Sequence, residues 1–91
     1  MKYQEDKVLA EVLEYIKGTY NEHYVGKGDI QMVDFWHSMG SLETTARDTA
    51  MKYLTRFGKK QGKNKKDLFK AIHYTILMWY AANDSMTKDE N

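Results

Sequence analysis

The sequence predicts an all-α fold: a small bundle of about four helices, the two long C-terminal ones joined by a basic loop, assembled into an oligomer. Three observations carry this. Apolar residues recur at spacings of three and four along most of the chain, the period of an amphipathic helix. The 91 residues contain no proline, so no ring interrupts a helix from within. Most glycines fall between the periodic stretches, where helix ends and turns need them. No repeat or linker composition divides the chain, and residues 1–91 read as one helical domain with a disordered polar tail at 84–91.

The elements follow in order. Residues 1–6 are polar, and Asp6 is placed to cap a first helix. Its stripe is Val8, Leu9, Val12, Leu13, Ile16 and Tyr20. Residues 21–29 hold two glycines and several polar side chains, the composition of a loop. Asp29 can cap a short second helix from Ile30 to about His37, with Ile30, Val33 and Trp36 on its apolar edge. Met39-Gly40 ends it and Ser41 caps the third helix, about Leu42 to Phe57. One face of that helix is Leu42, Ala46, Ala50, Tyr53, Leu54 and Phe57; the opposite face carries Thr45, Asp48, Lys52, Arg56 and Lys59. Gly58 is its stop. Asn64 caps the fourth helix, with Asp67 in a capping-box-like position, and the helix runs to about Asn83. Leu68, Ile72, Ile76, Trp79 and Tyr80 form its expected core stripe. Phe69, Tyr74, Leu77 and Met78 spread apolar surface around the rest, so a partner subunit is expected to cover part of it.

Composition removes several function classes. Hydrophobic residues make up 42% of the chain and charged residues 30%, an ordinary globular balance. A formal net charge of +1 argues against a general nucleic-acid binder, which is more basic. There is no cysteine, hence no disulfide framework and no thiolate chemistry. The early amphipathic helix lacks a signal-peptide core and no apolar run reaches membrane-spanning length. A cytoplasmic protein with no membrane partner is the expectation.

The chemistry concentrates where the charge does. Lys59 to Lys66 places five lysines in eight residues, and Lys52 and Arg56 lie one helical turn upstream. Arg offers a planar fork to phosphate and Lys a mobile charge; a helix N-terminus at 65–67 adds backbone donors. A solvated turn obeying the helix dipole accounts for any single lysine equally well. The run Gly58 to Asn64 is not a P-loop: only three residues separate its glycines, an asparagine follows the lysine, and a helix rather than a strand precedes it. Glu11 and Glu14 form an E-x-x-E pair, but no second acidic pair follows to share a magnesium ion. Surface pairs of Glu11 with Lys7 and Glu14 with Lys17 are expected instead. His23 and Tyr24, in the glycine loop, can stack on a base and donate to a phosphate, or simply plug the end of the bundle. No histidine has metal-ligand spacing.

A resemblance rests on these same residues. His23-Tyr24, the Ile30-to-Phe35 segment, Lys52-Tyr53-x-x-Arg56-x-Gly58-Lys59-Lys60 and Asp67-Leu68-x-Lys70-Ala71-x-x-Tyr74 are similar to a small phage family. That family is catalogued as a domain of unknown function and includes the podovirus nucleotide kinase, which lacks a P-loop. The likeness spans about residues 23–75, with helix one as an addition or a divergent part. It implies a phage protein that handles nucleotides, with His23, Tyr24, Lys52, Arg56, Lys60 and Asp67 as functional candidates.

The ligand-binding set is therefore His23, Tyr24, Lys52, Arg56, Lys59, Lys60 and Lys63, supported by Tyr53, Asp67 and Lys70. No catalytic residue, metal ligand or cofactor is assigned. The reading is sequestration of a nucleotide or cyclic nucleotide immune signal by a homo-oligomer in the infected host's cytoplasm. A non-P-loop nucleoside monophosphate kinase, which would need magnesium with Asp48 or Asp67 nearby, is one alternative. A helical inhibitor of a host protein is another.

Overall fold

The computed structural model describes the backbone of residues 1–21 and 27–90, and the side chains of residues 1–20 and 32–83. Among the described residues there are four helices and no strand: α1 (Glu5–Asn21), α2 (Lys27–Ser38), α3 (Leu42–Arg56) and α4 (Lys65–Glu90). The all-α expectation is met. Boundaries shift in detail. Asp6 lies in the first turn of α1 rather than at its cap, Asp29 falls inside α2, and α4 continues past Asn83 to Glu90. Ser41 occupies the N-cap position of α3, but its hydroxyl makes no capping bond. It donates instead to the Trp36 carbonyl at 3.4 Å.

The fold is organised on an α3–α4 hairpin, the most extensive helix–helix interface in the molecule. The two helices run antiparallel. Near the connecting loop Tyr53 meets Tyr74; at the far end Leu42 and Ala46 pack with Ala81. Ala46 is fully buried and Ala50, Ala71 and Ala81 nearly so. Small side chains at a contact let helix backbones approach closely, and the core is then sealed by larger neighbours. Those neighbours are Val33 and Trp36 from α2 with Tyr74, Leu77 and Met78 from α4.

This seam corrects the expected core of α4. Ile76, Trp79 and Tyr80 are 48%, 67% and 51% exposed, whereas Phe69, Ala71, His73 and Ala81 are buried. Alanines share the side of α4 that meets α3 with Tyr74, Leu77 and Met78, while Ile76, Trp79 and Tyr80 lie on its other faces. The face expected on α1 is corrected likewise. Only Val12 is buried, while Leu9, Leu13 and Tyr20 stand more than half exposed. The helix docks through Val12 and through Tyr15, whose ring lies 5.6 Å from that of Phe69. Glu11 pairs with Lys65 of α4 rather than with Lys7, and Glu14 pairs with Lys17 as expected, at 3.5 Å.

The α3–α4 connection is two successive turns. Phe57 (φ −55°, ψ 127°) and Gly58 (φ 87°) take type II turn values, closed by the Lys59 N–H on the Arg56 carbonyl at 2.9 Å. That turn requires a positive φ at its third residue, which glycine adopts without penalty. A second turn over Lys59–Gly62 follows, and Gly62 also has a positive φ.

Two predictions follow from this packing. Ala46→Leu is expected to cost about 1–3 kcal/mol by overfilling the seam, read as a lowered denaturation midpoint; an unchanged midpoint would show that the seam has spare room. His73 is buried, and its burial lowers its pKa below the ordinary 6.5 by disfavouring the charged form. The unfolded chain then binds a proton at a higher pH than the folded one. This contribution to stability is intact above 6.5 and is lost as pH falls through the lowered folded value. Comparing unfolding midpoints at about pH 7.5 and about pH 5.5, the wild type should lose more stability on acidification than His73→Gln.

Candidate functional site

The last turns of α3 and the first turns of α4 gather positive charge around one aromatic ring. Tyr53 is half-buried, and its ring stacks on Tyr74 of α4, with centroids 6.3 Å apart and planes 18° from parallel. The Lys52 Nζ lies 4.7 Å from the Tyr53 centroid, the Lys70 Nζ 5.1 Å and the Arg56 Cζ 5.4 Å. Helical geometry explains the gathering. Lys52 precedes Tyr53 and Arg56 follows three residues later, flanking the ring from the same helix. Lys70 is one turn before Tyr74, so the stacked pair carries it across from α4. The sequence placed Lys52 and Arg56 on a face opposite Tyr53. The structure places them beside it: Arg56, three residues on, is a neighbour on the helix surface, and the long Lys52 side chain reaches the ring from the adjoining position.

Each cation–ring contact at an exposed site is worth about 0.5–1 kcal/mol. None of the three cations forms an ion pair among the described residues. Lys65, by contrast, is neutralised by Glu11. Three like charges thus share one ring with no ion-paired carboxylate, an arrangement that a bound anion relieves.

The N-terminus of α4 adjoins this cluster in sequence. The Asn64 Oδ1 accepts the Lys66 N–H at 2.9 Å, so Asn64 caps the helix as expected. Asp67 does not complete a capping box through its Oδ2: it is only 5% exposed and that oxygen has no hydrogen-bond partner. A buried acceptor left unpaired costs on the order of 1–3 kcal/mol. Residues 67, 70 and 74 share one face of α4 by their spacing, so the orphan carboxylate belongs to the face that carries Lys70 and Tyr74.

The loop lysines stand apart. Lys59, Lys60 and Lys63 are exposed and make no ring contact with Tyr53. Two backbone donors of the loop are used within it. The Gly58 N–H bonds the Gly62 carbonyl at 2.9 Å and the Lys59 N–H bonds the Arg56 carbonyl, so these donors are satisfied internally rather than aimed outward as in a P-loop. His23 and Tyr24 lie outside the described residues. Among the described residues no group of three or more His, Asp or Glu could hold a metal ion, and no helix is long and apolar enough to cross a membrane. Sequence reasoning missed the part played by Tyr74. Its signal was available as the position one turn after Lys70, on the α4 face that pairs with Tyr53.

Comparison with known proteins adds a family. The model of a protein family of unknown function, DUF3310, matches residues 19–75. No curated protein and no solved structure matches the chain. The matched span contains α2, α3 and the first half of α4, hence the whole Tyr53 cluster, and leaves most of α1 outside. Covering more than half of the sequence, the match shows that this chain belongs to the DUF3310 family of proteins of unknown function.

Proposed function

We propose that this protein binds a nucleotide at the cations around Tyr53 and holds it without chemistry. The observation that carries the reading is the convergence of Lys52, Arg56 and Lys70 on one aromatic ring with no ion-paired carboxylate. Guanidinium and ammonium groups are the usual partners of phosphate oxygens, and tyrosine rings at such a site offer stacking surface to a base. Following the phage resemblance, the ligand class is a nucleotide or cyclic nucleotide signal of host immunity, with the protein acting as a sponge in the host cytoplasm.

The protein works as a homo-oligomer in this reading. Leu9 and Leu13 on α1, and Ile76, Trp79 and Tyr80 on α4, leave large apolar side chains in water. A second copy is the partner that covers them in this reading, since large apolar surface left in water is what an interface buries.

A thermal-shift panel of pyrophosphate, nucleoside mono- and triphosphates and cyclic dinucleotides tests binding. A true ligand at 100 times its Kd adds about 2.7 kcal/mol of stability. Lys52→Ala and Arg56→Ala are expected to remove that gain while changing the ligand-free stability by no more than about 1 kcal/mol. No shift with any member of the panel overturns the reading. Conversion of a nucleoside monophosphate to its diphosphate with ATP and magnesium replaces sequestration with kinase activity. Light scattering should return a multiple of the chain mass, reduced to a single chain by Trp79→Glu together with Leu13→Glu; a monomeric wild type contradicts the oligomer.

A further inference from the structure

A second concave site lies at the other end of the hairpin. All four helices contribute to a cavity of about 320 Å³, near the lower end of the range for small-ligand pockets, about 300–1,000 Å³. Its apolar lining is Val33 of α2, Leu42 of α3 and Leu77 of α4. Leu42 belongs to the buried core and Val33 and Leu77 pack against it, so this wall is preformed by the fold. Leu42 and Tyr53 are separated along α3 by about 16 Å at ~1.5 Å per residue, so the cavity is distinct from the Tyr53 cluster.

The polar groups around it define what it can take. Tyr20 closes one side from α1 and Tyr80 another from α4, both more than half exposed. His37 also lines the cavity, its ring 5.7 Å from that of Tyr80. Asp34 stands one turn before His37 and supplies a carboxylate with no ion pair among the described residues. Among the described residues no lysine or arginine lines the cavity. Those residues offer a phosphate no counter-charge. An ionised carboxylate only accepts hydrogen bonds, so the ligand must bring N–H donors. Its two oxygens are best satisfied by two neighbouring donors on one edge, as in bidentate carboxylate recognition. The aromatic and apolar surroundings favour a flat ring system.

We propose that this cavity is a binding site for an uncharged planar nitrogen heterocycle that presents two adjacent N–H donors, of the guanine type, with Asp34 as the acceptor. The purine ring occupies the space bounded by Leu42, Leu77 and the two tyrosines, and its ring N–H and exocyclic amino group meet the Asp34 carboxylate. The site works independently of phosphate binding at Lys52, Arg56 and Lys70.

Guanosine is the probe, because it carries the heterocycle without a phosphate. Titrated into the ¹⁵N-labelled full chain, it should shift the amide resonances of Leu42, Leu77 and Tyr80 saturably and leave those of Tyr53 and Lys70 in place. Asp34→Asn, at an exposed position, is expected to weaken binding about tenfold or more by removing a charge-assisted acceptor. Adenosine, which lacks a ring N–H beside its amino group, should bind weaker than guanosine by about the same factor. Ile76→Trp, at the half-exposed cavity wall, should block binding while leaving helical circular dichroism unchanged; if it unfolds the chain, the Asp34→Asn comparison decides alone. Lys52→Ala should not alter guanosine binding, which separates failure here from failure of the nucleotide reading. Absence of saturable shifts overturns the proposal. So do shifts confined to the Tyr53 cluster, and so does equal affinity for guanosine and adenosine together with an unaffected Asp34→Asn.

Discussion

The close approach of α3 and α4 through alanine is the constraint on which the rest of the structure depends. Ala46 and Ala81 sit in the shared core with Leu42, and small side chains at the contact bring the two backbones near each other. That proximity carries Tyr74 to Tyr53 and, one turn away, Lys70 to the same ring. It also leaves Ile76, Trp79 and Tyr80 exposed, because they lie on faces of α4 turned away from that contact. The candidate site and the exposed apolar surface are thus two results of one packing choice.

The charge arrangement has its own logic. Three cations gathered at a ring would repel one another in the absence of compensation, and the ring quadrupole offsets only part of that repulsion. Other positive groups here are treated differently. Lys65 is matched by Glu11 and Lys17 by Glu14, whereas Lys59, Lys60 and Lys63 project from a turn whose nearby backbone donors bond within it. Lys52, Arg56 and Lys70 are held close together by neither strategy. A protein that selected only for solubility would distribute such charges along its surface, as it does in the turn.

The helical content and the positions of the α3–α4 turn were legible in the sequence, since Gly40, Gly58 and Asn64 act locally on the backbone and their effects need no tertiary partner. The buried face of α4 was not. By hydrophobicity Ile76 and Trp79 outrank Ala71 and Ala81, and nothing along one helix reveals how closely a second one will lie. The site divides on the same line. Lys52 and Arg56 were visible as a pair one turn apart, but their relation to Tyr53 was misjudged, because their long side chains reach across the helix surface to the ring. Lys70 could be listed only as support, because its place at the ring depends on the pairing of two helices. The unpaired Oδ2 of Asp67 was out of reach, since burial of one oxygen is a property of the packed molecule.

The manner in which α1 is attached has a further consequence. Among the described residues the helix holds on through Val12, a tilted ring contact between Tyr15 and Phe69, a partly exposed ion pair, and a small contact with α2. Segments with few buried apolar contacts open at free energies well below that of global unfolding. Native-state fluctuations will therefore release α1 before they disturb the α3–α4 hairpin. Its amides then exchange with solvent ahead of those in the hairpin, and each opening uncovers Phe69 two residues from Asp67. The part of the chain that lies mostly outside the family match is thereby a detachable cover on the first turns of α4, with a lifetime of its own.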